Sequence, residues 1–108
     1  MNITLPPPVA TYLEAETRND SEALSTCFAA DAVVRDEGRS IEGLDAIKAW
    51  KKASKAKYQY SVEPLSASQD AATVAMRARL AGKFPGSPIE VTYTFVLADD
   101  RIASLEIR

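Results

Sequence analysis

The chain contains no histidine, so an imidazole base, a Ser–His or Cys–His nucleophile pair and imidazole metal ligation are all excluded. Proton transfer would fall to a carboxylate, and Asp36 is the one whose surroundings suit it. It stands near the end of Phe28-Ala29-Ala30-Asp31-Ala32-Val33-Val34-Arg35-Asp36-Glu37-Gly38, where a helical pattern gives way to an extended one. Strand alternation puts Ala32, Val34 and Asp36 on one side and Val33 and Arg35 on the other. A carboxylate that shares its side with apolar residues is disfavoured in its charged form, which raises its basicity. Asp36-Glu37-Gly38 is equally the composition of a strand-to-turn junction, so base, ligand contact and turn residue are all open for Asp36. Tyr93 lies in the row of Val91, Phe95 and Leu97, where a buried hydroxyl needs a partner. A ligand, Asp36 or the backbone would each serve. Tyr12 is either a half-buried helix tyrosine or a residue lining a pocket.

The elements that must position these groups are legible in order. Pro6-Pro7-Pro8 ends an N-terminal tail and starts a helix, with Val9, Tyr12, Leu13 and Glu16 on one face. Asn19 and Glu22 have capping-box spacing, which predicts a second helix over about 20–28 with Ala23, Leu24, Cys27 and Phe28 inward. Ala32–Asp36 reads as a strand with a β-branched centre, Gly38 as a turn, and residues 39–42 as a return strand. A third helix is expected over about 44–56, with Leu44, Ala46, Ile47, Ala49, Trp50 and Ala53 as its apolar stripe. Its Lys48, Lys51, Lys52 and Lys55 read as a solvated face. The pattern then alternates, predicting strands at about 58–66, 72–83, 89–98 and 101–108 joined by short turns as an antiparallel meander. Helices first and a curved, mainly antiparallel sheet after define an α+β class. The expected walls of any pocket are Trp50, Val34, Phe28, Tyr58, Met76 and Phe95, with Tyr60 on the same face as Tyr58. Trp50 serves equally as core, and Tyr58 and Tyr60 could simply pack. Arg77 and Arg79 share a sheet face, where Glu90 or Glu106 could pair with them.

Composition bounds the rest. One domain, 1–108, is expected from 108 residues, and 46% hydrophobic content suffices for a core. A net charge of −2 with both signs interspersed argues against a nucleic-acid partner, which selects a concentrated basic face. A single cysteine, Cys27, excludes an internal disulfide and a thiolate-rich zinc site; it reads as a small core hydrophobe. The N-terminal residues show no signal-peptide pattern and no run is long enough to span a membrane, so a cytoplasmic location is expected. No cofactor and no metal is expected.

The residues Tyr12-Leu13, Asn19-Asp20, the Phe28–Asp36 entry ("F-A-x-D-A-V") and Gly43-Leu44-Asp45-Ala46-Ile47 running into Trp50 ("G-x-x-A-I") carry a resemblance that spans nearly the whole chain. The sequence resembles the nuclear transport factor 2-like superfamily, in particular its ketosteroid-isomerase and SnoaL-like polyketide-cyclase branch. The resemblance implies a cone-shaped α+β barrel, three helices packed on the sheet, a pocket between them, and a homodimer formed through the sheet. In the isomerase pattern an Asp base works with a Tyr and a protonated Asp that donate to an enolate oxygen. The resemblance places Asp36 on the base, Tyr12 on the tyrosine and Tyr93 on the second donor, a departure from the family's carboxylic acid. The later-strand carboxylate of the cyclases has no matching Asp here, and the Asp-Arg-Asp set of epoxide-hydrolysing members is not evident. The resemblance thus implies a pocket for a small apolar carbonyl compound, with a cofactor-free isomerase or cyclase as one reading. A non-catalytic homodimeric binding or association module is the other.

Overall fold

The computed structural model of the protein describes residues 4–108. Helix α1 spans Pro7–Arg18, and Pro7 and Pro8 fill its first turn, where their missing N–H groups cost nothing. Asn19 closes it in the left-handed conformation (φ 54°), which a short polar side chain tolerates. This corrects the expected capping box. Asn19 ends the first helix, and Asp20 caps the second by accepting from the Ala23 N–H at 3.2 Å. That second element is a 3₁₀ helix, Ser21–Thr26.

Strand β1 runs over Phe28–Asp36 and starts four residues earlier than the β-branched centre suggested. A two-residue turn, Glu37 (φ 54°) and Gly38 (φ 74°), reverses it into β2, Arg39–Glu42; positive φ at both positions matches the twist of a hairpin. Helix α2, Leu44–Tyr58, comes next, then β3 (Ser61–Asp70), β4 (Thr73–Ala81), β5 (Ile89–Ala98) and β6 (Arg101–Ile107).

The six strands form one mixed sheet in the order β2-β1-β6-β5-β4-β3. The last four pair as the expected antiparallel meander, except that β3 starts at Ser61 and runs on to Asp70 while Tyr58, expected on that strand, ends α2; β6 then lies parallel to β1, with Val34 opposite Leu105. The sheet does not close into a barrel: β2 and β3 are its two edges. What remains of the expectation is an α+β fold with a curved sheet and three helical segments. The inward rows are Val34, Val74, Met76, Ala78, Val91, Tyr93, Phe95 and Leu105, and they meet Val9, Tyr12 and Ala15 of α1 and Ile47 and Trp50 of α2 in one core. Tyr12 wedges into that core edge-on to Phe28 and Phe95, with ring centroids 5.8 and 5.5 Å away, an arrangement the ring quadrupoles favour. The buried stripe of α2 is narrower than the sequence indicated. Ala46, Ala49 and Ala53 are not part of the buried core, and Lys51 is buried in their stead.

Candidate functional site

A cavity of about 440 Å3 opens between the C-terminal half of α2, the ends of β1 and β6, and the loop joining β4 to β5. Its apolar wall is Leu80, Phe84, Pro85, Ile89, Val91 and Ile107; its polar atoms come from Asp36, Glu37, Ser54, Arg108 and the tyrosines Tyr58, Tyr60 and Tyr93. Asp36 is delivered there because it is the last inward residue of β1, immediately before the turn. The junction therefore fixes where the carboxylate ends up, and the turn and pocket readings of Asp36 coincide. The Trp50 indole N–H donates to Asp36 Oδ2 at 3.1 Å. Burial pushes the Asp36 carboxyl above its ordinary value; the Trp50 hydrogen bond works against this and the neighbouring Glu37 charge adds to it.

Tyr93 is 1% exposed and lines the same cavity, and its hydroxyl makes no hydrogen bond among the described residues. Burial, with Glu16 and Asp36 nearby, pushes that phenol upward, so it is a neutral donor. Tyr58 donates to Glu37 Oε1 at 3.3 Å at the rim, and its ring stands edge-on to Phe84. Of the expected walls, Trp50 and Tyr58 line the cavity, together with Asp36 and Tyr93. Phe28, Val34, Met76 and Phe95 lie in the packed core behind it, each no more than 2% exposed.

Tyr12 also lies behind the wall. It is fully buried, and its hydroxyl takes part in a cluster that the sequence did not reveal. Lys51, expected on a solvated row, is 4% exposed; its ammonium donates to Glu16 Oε1 at 2.5 Å, Tyr12 Oη at 2.8 Å and Tyr60 Oη at 2.9 Å. Lys55 sits 3.0 Å from Glu16 Oε2 and donates to the Tyr60 carbonyl at 2.7 Å. Glu16 is held below the ordinary carboxylate range because the two lysines outweigh the cost of its burial, while burial pulls the Lys51 ammonium down. A signal existed. Glu16 stands four residues after Tyr12 on the apolar face of α1, and Lys51 comes after Ile47 at the same interval on α2. Two opposite charges on two buried stripes call for each other.

A second depression, about 520 Å3, lies on the far side of Tyr60 and is lined by Glu16, Asn19, Lys51, Lys52, Lys55 and Gln59 among others. Among the described residues no group of three or more His, Cys, Asp or Glu could hold a metal ion. Among them, too, no helix is long and apolar enough to cross a membrane.

An open curved sheet, helices across its inner face and a carboxylate at the mouth of the cavity between them define the nuclear transport factor 2-like class. The chain belongs to the SnoaL-like domain family, which matches residues 9–105. It is similar to a protein from Sinorhizobium meliloti provisionally assigned as a polyketide cyclase: 46% identity over 96% of this chain and 95% of that one, TM-score 0.94. A protein with a ketosteroid isomerase-like fold from Catenulispora acidiphila, solved with trimethylamine, is 26% identical over 97% and 86%, TM-score 0.84. A nuclear transport factor 2-like protein of unknown function from Cytophaga hutchinsonii, 14% identical over 100% and 91% with TM-score 0.81, shares the fold. No curated protein matches the chain.

Proposed function

We propose that this is a small-molecule-binding SnoaL-like protein whose cavity takes an apolar carbonyl compound, and that Asp36 transfers a proton on it without a cofactor. The observation that carries the reading is the meeting, in one apolar-walled cavity, of a carboxylate of raised basicity and a buried, unengaged Tyr93 hydroxyl. Asp36 would take a proton from the carbon beside the carbonyl. The C–H electron pair becomes the new C=C bond, the carbonyl electrons move onto oxygen, and a tyrosine O–H stabilises that oxygen. The proton then returns from Asp36 to another carbon, giving an isomer; or the enolate carbon attacks a second carbonyl, whose electrons move onto its oxygen, and that oxygen takes the proton from Asp36, giving a cyclised product. The likeness to the Sinorhizobium protein supports this chemistry. Trp50 holds Asp36 Oδ2 in place for it, so the carboxylate needs little reorganisation.

One observation favours a second reading, a binding module without turnover. The tyrosine that the family resemblance assigned to oxyanion stabilisation, Tyr12, is sealed from the cavity, and no carboxylic acid accompanies Tyr93. The two readings separate by experiment. Trp50 is the sole tryptophan and lines the cavity, so its fluorescence reports binding directly. Native mass spectrometry of the protein from its source identifies the bound compound. Asp36→Asn should then lower turnover of that compound by roughly 10²–10⁴-fold while leaving binding nearly intact. Undiminished turnover would remove Asp36 as the base, and binding without turnover in the native protein would establish the module.

A further inference from the structure

The hydrogen bonds behind the cavity decide which phenol can face a ligand. An ammonium has three N–H donors, and Lys51 commits all three, to Glu16 Oε1, Tyr12 Oη and Tyr60 Oη. Both tyrosine oxygens are therefore acceptors toward Lys51, and each keeps one proton to donate. For both, the acceptor at hand is Glu16 Oε1, at 3.4 Å from Tyr12 and 3.3 Å from Tyr60. Both distances exceed the usual O–H···O range, and that oxygen already receives Lys51 at 2.5 Å. Tyr12 is fully buried and has nowhere else to turn. Tyr60 lines both the Asp36 cavity and the second depression, so its proton, unlike that of Tyr12, has open space to turn toward.

Tyr60 is also unusually well fixed. Its carbonyl accepts from Lys55 at 2.7 Å. Gly82 packs so close that a Cβ there would come within 2.6 Å of the Tyr60 Cα. Its hydroxyl is held from behind by the buried Lys51 ammonium, which polarises it more strongly than water would.

We infer that Tyr60, alongside the unengaged Tyr93, donates to the ligand's oxygen in the Asp36 cavity, in the part assigned by family resemblance to Tyr12, with Lys51 positioning and polarising its hydroxyl. The ligand class is a compound whose carbonyl oxygen becomes an enolate, or an equivalent phenolate. This rests on the cavity being the binding site proposed above.

The test uses 4-nitrophenol, whose coloured anion reports ionisation, on the Asp36→Asn protein; the carboxamide stands for the protonated base and removes repulsion of the bound anion. Binding should favour the anion and lower the phenol's apparent pKa. Adding Tyr60→Phe should reduce that preference at least about tenfold, as for a hydrogen bond to a charged group, whereas adding Tyr12→Phe should preserve it. An anion preference that survives Tyr60→Phe overturns the inference and leaves the cavity reading standing, and so does an equal loss in both variants, which would mark a collapsed network. Absence of any binding, with Trp50 fluorescence unmoved, removes the cavity reading and this inference together. Should Tyr60→Phe not fold, 3-fluorotyrosine at position 60 supplies the readout: its fluorine resonance should shift on binding 4-nitrophenol, and an unmoved resonance with binding intact overturns the proposal.

Discussion

At the scale of single residues, the buried Glu16 sets the stability of the site. Glu16→Gln would leave the Lys51 and Lys55 ammonium groups sharing no anion, and breaking a buried pair in this way costs about 3–5 kcal/mol. A large fall in the thermal midpoint is expected, with the fold of the remaining protein checked by circular dichroism. The pH dependence comes from the direction of the Glu16 shift. Its folded value lies below the ordinary 4.5, so its contribution is complete above that value and is lost as pH falls through the folded one. Denaturant titrations across this acid range should show stability dropping in the native protein, and a flatter profile in Glu16→Gln. Asp36 runs the other way. Its carboxyl is raised above 3.8, so any turnover that uses it as a base should switch on with rising pH at a midpoint above that value. A rate profile that stayed flat through this limb would argue against the base.

The same residues show what the sequence could and could not reveal. Asp36 was legible because period-two alternation fixes its side once the strand is recognised, and the strand is marked by Val33 and Val34. Tyr93 was legible for the same reason. Lys51 was hidden because a lysine row recurring every three or four positions gives no indication of which member turns inward; only its interval from Ile47, matched to Glu16 on α1, distinguishes it. Phe28, Val34, Met76 and Phe95, expected as pocket walls, lie in the core instead, because alternation says nothing about whether an inward residue meets a neighbour or a space.

At the scale of elements, the loop between β4 and β5 shapes the cavity. It carries Phe84 and Pro85 to the wall, and the Lys83 N–H docks on the Tyr58 carbonyl at 2.6 Å while Gly82 N–H donates to Ser87 Oγ at 2.9 Å. Gly82 has no room for a side chain, since backbone of Tyr58 and Tyr60 would lie within 2.7 Å of a Cβ. Gly82→Ala should therefore displace Tyr60 and cost about 1–3 kcal/mol, with ligand binding weakened more than the thermal midpoint alone would suggest. Fluorescence titration beside a melt would show it. Val91→Trp should fill the cavity without touching Asp36, and binding retained at the native affinity would place the ligand elsewhere. The turn chemistry that made the meander legible comes from local composition. The parallel pairing of β1 with β6 has no such local signal, because nothing near either strand specifies a partner so distant in sequence.

At the scale of the whole molecule, the outer face of the sheet bears on association. Arg77 pairs with Glu90 at 3.0 Å and Arg79 with Glu63 at 3.1 Å, within one chain. These arginines thus have their counter-charges already, and Val96 is exposed on the same face at 37%. The homodimer anticipated from family resemblance would be held there by shape and apolar contact more than by charge. Sedimentation at micromolar concentration should give the mass of two chains, and Val96→Asp should shift it toward one; a single-chain mass for the native protein removes the prediction.

The joining of β1 to β6 also governs when the site comes into being. Asp36 sits on the first strand and Tyr93 on the fifth, and the strand between them in the sheet, β6, is the last of the six in sequence. Until residues 101–107 arrive, β1 with β2 and β5 with its neighbours are two separate ribbons, each presenting a bare edge, and the proton-transfer groups belong to different pieces. Pairings so far apart in sequence slow folding, and edges left waiting invite wrong partners. Ligand affinity should therefore emerge only in the slowest refolding step, together with the last fluorescence change of Trp50, while helical signal returns earlier.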